Sequence, residues 1–151
     1  MTCPGELAGG RGPRRAFGKG RIMPATLFLR RVLAFDALSC LGIGLLMALA
    51  ASSLAPSFGL PDGLVRTAGV LLLPLGAFIA WLASRPSPPR PLVWLVIVGN
   101  LGWAAESFAI LGQNGGSVTA LGTAFVSVQA LAVAGLAALE YAGLRKACSV
   151  A

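Results

Sequence analysis

Long apolar stretches, separated by short polar or proline-rich connections, dominate the chain. Four of them lie at about residues 32–55, 64–84, 92–112 and 118–143. Each is long enough to cross a hydrocarbon core about 30 Å thick as a helix that rises about 1.5 Å per residue. Most faces of these helices would be apolar, which is typical of lipid contact, and no strand alternation is visible. The pattern predicts an all-α membrane protein.

The connections between the four stretches are short. Proline and glycine are frequent in residues 56–63, Arg-Pro-Ser-Pro-Pro-Arg-Pro fills 85–91, and Gln-Asn-Gly-Gly-Ser fills 113–117. Short connections make consecutive helices antiparallel neighbours. We therefore expect an antiparallel four-helix transmembrane bundle within residues 32–144.

The two ends of the chain differ from this domain. Residues 1–31 are basic and rich in Gly, Pro and Arg, which predicts a disordered tail, and residues 145–151 form a short cytoplasmic tail. Translation from Met23 is an alternative start that still enters the first apolar stretch. A signal peptide cleaved after Ala50 is a weaker alternative, because its apolar run is long and contains Asp36.

Basic residues predict the orientation of the bundle. The chain has twelve basic and five acidic residues, for a net charge of +7. In a four-span arrangement, eleven of the twelve lie on one side of the membrane, and Arg66 lies on the other. The positive-inside rule makes the first side cytoplasmic. We expect a multi-pass inner-membrane protein with both termini in the cytoplasm.

Composition limits the chemistry. Apolar residues make up 56% of the chain and charged residues 11%, which excludes an ordinary soluble domain. Histidine is absent, and the cysteines at 3, 40 and 148 form no Cys-x-x-Cys pair. No nucleotide-binding or hydrolase motif occurs. We expect no enzyme activity, cofactor or metal, and we interpret Cys40 as a packing residue.

The predicted membrane location determines which partners we expect. The main one is the lipid bilayer, with anionic lipid at the basic N-terminal tail, where each basic residue contributes about 1 kcal/mol. Because the basic residues collect in tails and one loop, we do not expect nucleic-acid binding. A second copy of the chain or an unidentified membrane protein is a further candidate partner.

Acidic residues inside the spans are the first candidate site residues. Asp36 is placed about one turn inside the first span, and we interpret it as an interfacial carboxylate paired with Arg30, Arg31, Arg85 or Arg90. The alternative is a cytoplasmic gate or a proton-entry site. Glu106 is the deepest acid by position, and we hypothesise an ion pair with Arg66.

Two alternatives to that ion pair stay open. Asp62 competes for Arg66 at helical (i, i+4) spacing. Glu106 is otherwise a protonatable carboxyl that binds a cation or couples transport to a proton.

Uncharged polar residues could connect the third and fourth spans. Asn100, Trp103 and Ser107 recur at helical spacing, and Gln129 falls at a depth between Asn100 and Glu106. A hydrogen bond from Gln129 to Asn100 or Glu106 would hold the helices together, contributing about 0.6–2 kcal/mol. The same residues could instead line a cavity for a small ligand.

Small residues recur at four-residue spacing on two spans. This spacing allows close helix packing within the bundle or in a homodimer. The stripes contain Cys40, Gly44, Ala48 and Ser52 on the first span, and Ala130, Ala134, Ala138 and Ala142 on the fourth.

Residues 24–146 resemble a known class of membrane proteins in their architecture. The segments LRRVLAFDALSC, LPDGLVRTAG, GNLGWAAES and VQALAVAGLAALEYAGLRK resemble small four-helix integral membrane proteins of bacteria. The likeness is architectural and implies no activity. The small multidrug exporters differ, since they are shorter and have a glutamate at the middle of the first helix. The cysteine motif of four-helix quinone-reducing oxidoreductases is also missing.

These observations lead to two expectations for function. The first is a structural or partner-assembly role in the inner membrane. The alternative is a small-solute or proton-coupled transporter that acts as a homo-oligomer, with a polar path at Asn100, Glu106 and Gln129.

Overall fold

Four helices make up the regular structure of the part of the chain that the computed structural model describes, residues 27–114 and 116–149. No strand occurs in these residues. Each helix is long and apolar enough to cross a membrane, as predicted. The predicted tail up to residue 26, and with it Met23, lies outside the described residues. The helices are α1 Leu27–Phe58, α2 Asp62–Ser84, α3 Arg90–Asn114 and α4 Ala120–Ser149.

The helices extend beyond the apolar stretches that predicted them. α1 already contains Arg30 and Arg31, and α4 continues through Arg145 and Lys146. The apolar stretch marks the part that fits hydrocarbon, whereas backbone hydrogen bonding continues where long basic side chains can reach water. Two stretches predicted as tail, 27–31 and 145–149, are therefore helical.

The end of α1 also differs from the prediction. Pro56 lies inside α1, which kinks upstream of it at Ala50, where φ is −104° and ψ is 15°. The helix ends after Phe58 because Gly59 adopts a positive φ of 66°, a conformation that glycine adopts without strain. The amide of Leu60 then donates to the carbonyl of Ala55 at 3.1 Å.

Contacts between the helices are uneven. α1 packs most extensively against α2, and α3 packs against α4. α1 and α4 join these two pairs, whereas α2 and α3 barely touch. Along the α1–α4 contact, Leu29 lies beside Gly143, and Phe58 lies beside Gly122.

Glycines allow α1 and α2 to approach closely. A Cβ added to Gly69 would lie 2.5 Å from the backbone nitrogen of Ala48, and one added to Gly44 would lie 3.0 Å from the carbonyl oxygen of Gly69. On α4, Ala134 is half-buried and Ala138 is exposed. The small-residue stripe of α1 therefore faces α2 through Gly44 and Ala48, whereas that of α4 ranges from the fully buried Ala130 to the exposed Ala138.

The outside of the helices is more apolar than that of a water-soluble protein. Large apolar side chains cover the outside, including Leu38, Leu49 and Val128, which are 69%, 74% and 67% exposed. Four polar or charged residues are buried instead: Asp36, Asn100, Ser107 and Glu140. A contiguous apolar exterior needs a hydrophobic medium or a partner.

Candidate functional site

Three buried polar residues from three helices meet inside the protein. Asp36 of α1 is 1% exposed, Asn100 of α3 is 3% exposed, and Glu140 of α4 is 0% exposed. Each lies about 14 Å along its helix from the same end of the molecule, at about 1.5 Å per residue. We call these three residues the acidic cluster.

A single amide group connects the two acids. The Asn100 Nδ2 donates to Oδ2 of Asp36 at 3.0 Å and to Oε2 of Glu140 at 3.3 Å. Both carboxyl groups therefore lie against the same amide nitrogen. On the far side of Asp36, Sγ of Cys40 lies 3.8 Å from Oδ1. The buried Cys40 therefore borders the cluster in addition to packing.

No basic side chain of residues 27–114 or 116–149 pairs with the cluster. Asp36 contacts the amide of Asn100 and the thiol of Cys40 in place of the predicted arginine, more than two turns from the start of α1. Arg30 donates instead to the carbonyl of Ala83 at 3.1 Å. The guanidinium of Arg85 lies over the ring of Trp81, 4.6 Å from its centroid.

Without a basic partner, the charges of the two carboxyls in the cluster are not neutralised by a neighbouring side chain of the described residues. Two ionised carboxylates bonded to the same amide would repel each other strongly in a medium of low dielectric constant. One proton bound by either carboxyl removes this repulsion. The arrangement can therefore hold and exchange a proton, or take up a cation in its place.

A small cavity adjoins the cluster. Its volume is about 20 Å³, which is enough for one water-sized group. The indole Nε1 of Trp103, which lines the cavity, is buried without a hydrogen-bond partner, and so is Oε1 of Glu140 in the cluster. The polar side chains in its wall are Asp36, Ser39, Cys40, Asn100, Trp103 and Gln129.

A larger apolar groove lies between α1 and α4. Its volume is about 890 Å³, and much of its wall is exposed on the outside of the protein, including Phe35, Leu121 and Val128. Ser39, Ile43, Gln129 and Val133 line both the groove and the small cavity. The two spaces are therefore neighbours across a thin wall.

The other predicted site residues are elsewhere. Arg66 is exposed and lies 3.5 Å from Asp62, as the (i, i+4) alternative predicts, and it donates to the carbonyl of Ala48. Arg66 makes these contacts in place of the predicted ion pair with Glu106, which is exposed on α3. Ser107 is buried but donates to the carbonyl of Trp103 on its own helix at 2.8 Å.

Only two of the three residues of the predicted polar path, Asn100 and Gln129, lie at one site. Asn100 and Gln129 both line the small cavity, without a hydrogen bond between them among the described contacts. Glu106 is exposed and does not line it.

The second buried acid is Glu140, which accepts from Asn100 and which sequence analysis missed. Glu140 lies just before the basic residues Arg145 and Lys146, so the sequence suggests a polar helix end. Its immediate neighbours, however, are leucine, tyrosine and alanine.

The described residues contain no group of three or more His, Cys, Asp or Glu side chains arranged to hold a metal ion. The donors in the acidic cluster are two carboxyl groups and one amide. Comparison of the chain with protein-family models, with curated proteins and with solved structures gave no match.

Proposed function

We propose that the chain is a four-span inner-membrane protein, an antiparallel bundle with both termini in the cytoplasm. The contacts of Leu29 with Gly143 and of Phe58 with Gly122 support the antiparallel arrangement of α1 and α4. The distribution of basic residues supports the orientation. In this orientation the acidic cluster lies in the cytoplasmic half of the membrane.

The function that the site supports best is reversible proton binding coupled to the passage of a small solute. One observation carries this proposal: two fully buried carboxyls share a single amide donor, with no basic partner among the described residues. Burying an ionisable group in a membrane costs about 2.5–3.5 kcal/mol on insertion scales. Apolar residues would hold the helices together without that cost, so the cluster is better explained by a functional role.

Infrared difference spectroscopy tests proton binding directly. The full-length protein is reconstituted in lipid, the pH is stepped, and the carboxyl C=O band is followed. We expect a band that Asp36→Asn and Glu140→Gln each remove or shift. The matched control is Asp62→Asn, the same change in an exposed acid at the start of α2. A spectrum that neither cluster variant alters would overturn the proposal.

Proton movement is measured in liposomes that contain a pH-sensitive dye. We expect an imposed pH gradient to decay faster with the wild-type protein than with Asp36→Asn, and Asp62→Asn to behave as wild type. Equal decay for all three proteins would contradict a role in proton passage. Thermal unfolding in detergent shows whether each variant is folded.

Assembly with a partner is the second candidate, and Glu106 favours it. This carboxyl is exposed on α3, about 12 Å from the C-terminal end of the helix. An exposed charge at that depth is costly in lipid, and a neighbouring helix with a polar group would cover it. We expect Glu106→Leu to lower the mass of the assembled complex, measured by light scattering in detergent. An unchanged mass would contradict this role.

A further inference from the structure

The apolar groove gives the acidic cluster a neighbour that opens to the surroundings of the protein. Groove and small cavity meet at Ser39 and Ile43 on α1 and at Gln129 and Val133 on α4. At about 890 Å³, the groove is in the size range of small-molecule sites, about 300–1,000 Å³. In a membrane its outer side would face lipid, so a ligand would enter sideways from the bilayer.

The two ends of this space have different chemistry. The wall of the groove is mostly apolar, with Phe35, Phe125 and Leu139 among its residues. Beyond the shared wall, the carboxyl of Asp36 lines the small cavity. Glu140, bonded to the same amide of Asn100, has a buried Oε1 without a hydrogen-bond partner. A ligand that complements both ends has an apolar body and a positively charged head that donates hydrogen bonds.

The small cavity restricts the size of that head. Its volume of about 20 Å³ suits a group no larger than one water molecule. A primary ammonium group has this size and carries three N–H donors, as the lysine side chain does. A trimethylammonium group is larger and has no donor. The cavity therefore selects a primary amine over a quaternary one.

We propose that the acidic cluster binds a primary amine with an apolar tail, which reaches it through the groove between α1 and α4. This inference rests on the proposed proton-binding function, because the ammonium head replaces the proton that either carboxyl binds. The charges balance: the cation enters the cluster, and the displaced proton is released to water. Binding of the amine and loss of the proton would then be linked.

Isothermal titration calorimetry of the full-length protein in nanodiscs tests this inference. The probes are octylamine, octyltrimethylammonium and octanol, which share one tail and differ in the head. We expect saturable binding of octylamine only, with proton release revealed by titrations in two buffers of different ionisation enthalpy. Asp36→Asn should weaken binding about tenfold or more, because a charge-assisted hydrogen bond is lost.

A matched pair of variants separates the groove from the carboxyls. Ala132 is exposed and lines the groove, whereas Ala109 is exposed on α3 outside it. Ala132→Phe fills the groove without touching the acidic cluster, and we expect it to weaken octylamine binding about tenfold. Ala109→Phe should bind as wild type. Wild-type affinity of Ala132→Phe, or equal binding of the three probes, would overturn the inference.

Other results distinguish this inference from the proposed function. A carboxyl band that titrates in the infrared without octylamine binding would overturn the amine site and leave proton binding intact. Octylamine binding without proton release, together with an infrared spectrum in which no carboxyl band changes with pH, would overturn proton binding instead. A lower assembled mass of Ala132→Phe would show that a second copy of the chain occupies the groove, which also contradicts the amine site.

Discussion

The two sides of α1 are built differently. Toward α2 the contact is close, with Gly69 against the backbone of Ala48 and Gly76 against Leu41. Toward α3 and α4 the contact contains the acidic cluster, a cavity of about 20 Å³ and the apolar groove. One helix thus separates an interface held by close backbone approach from one that contains buried charge and space.

This difference indicates how four helices that are apolar enough to cross a membrane can tolerate buried polar groups. Lipid offers no hydrophobic drive for helix association, so stability has to come from van der Waals contact and interhelical hydrogen bonds. Close packing of α1 on α2 supplies that contact. The α1–α4 side is then free to hold the buried carboxyls, for which we propose proton exchange.

The largest effect is expected where the backbones are closest. Gly69→Leu places a side chain against Ala48 and Gly44, and because backbone atoms cannot move aside, we expect a loss of about 3 kcal/mol of unfolding free energy. Gly42→Leu is the control, since nothing lies within 4 Å of a Cβ at that position. Reversible unfolding in mixed detergent measures both. Equal stability of the two variants would contradict the claim that close backbone packing holds α1 against α2.

Removal of the shared amide tests the polar side. Asn100→Leu leaves two buried carboxyls without their donor, and we expect a loss of about 2 kcal/mol of unfolding free energy. The double variant Asn100→Leu with Glu140→Leu should recover part of that loss, because one unsatisfied acid is gone. Strictly additive losses would show that the residues do not act as one cluster.

The link between the end of α1 and the start of α4 should have a smaller effect. Thr119 accepts a hydrogen bond from the amide of Gly122 at 3.0 Å, and its hydroxyl donates to the carbonyl of Ser57 at 2.7 Å. We expect Thr119→Ala to cost about 1 kcal/mol, as loss of a helix cap does. Thr123→Ala, one turn later, is the matched control in the same unfolding measurement. A null result for Thr119→Ala would refute the capping role.

The smallest effect is expected at the exposed ion pair. Asp62 and Arg66 are 48% and 50% exposed, 3.5 Å apart, and water and salt screen them. We expect Asp62→Asn to change the unfolding free energy by about 0.3 kcal/mol. The change should decrease further as salt concentration rises. A loss as large as that of Asn100→Leu would contradict the difference between buried and exposed acids.

The fold was more predictable than the site. Hydropathy predicted four membrane-length helices, because lipid-facing and interior residues of such helices are both apolar. It could not predict where the helices end, since α1 and α4 continue through basic residues. Asp36 and Asn100 were identified because a polar residue inside an apolar stretch is conspicuous. Their partner could not be identified, because Glu140 lies close in sequence to the basic end of α4.

The sequence by itself determined that this chain consists of long apolar helices. In lipid an apolar stretch of this length has to be helical, because a helix satisfies its own backbone hydrogen bonds. It also identified Asp36 and Asn100 as polar residues that are costly to bury, but not Glu140. Only the tertiary structure decided which of them meet. Helix order and rotation place Glu140 with Asp36 and Asn100, and turn Glu106 outward. Such choices depend on the packing of side chains between helices, which a linear pattern of apolar residues leaves open.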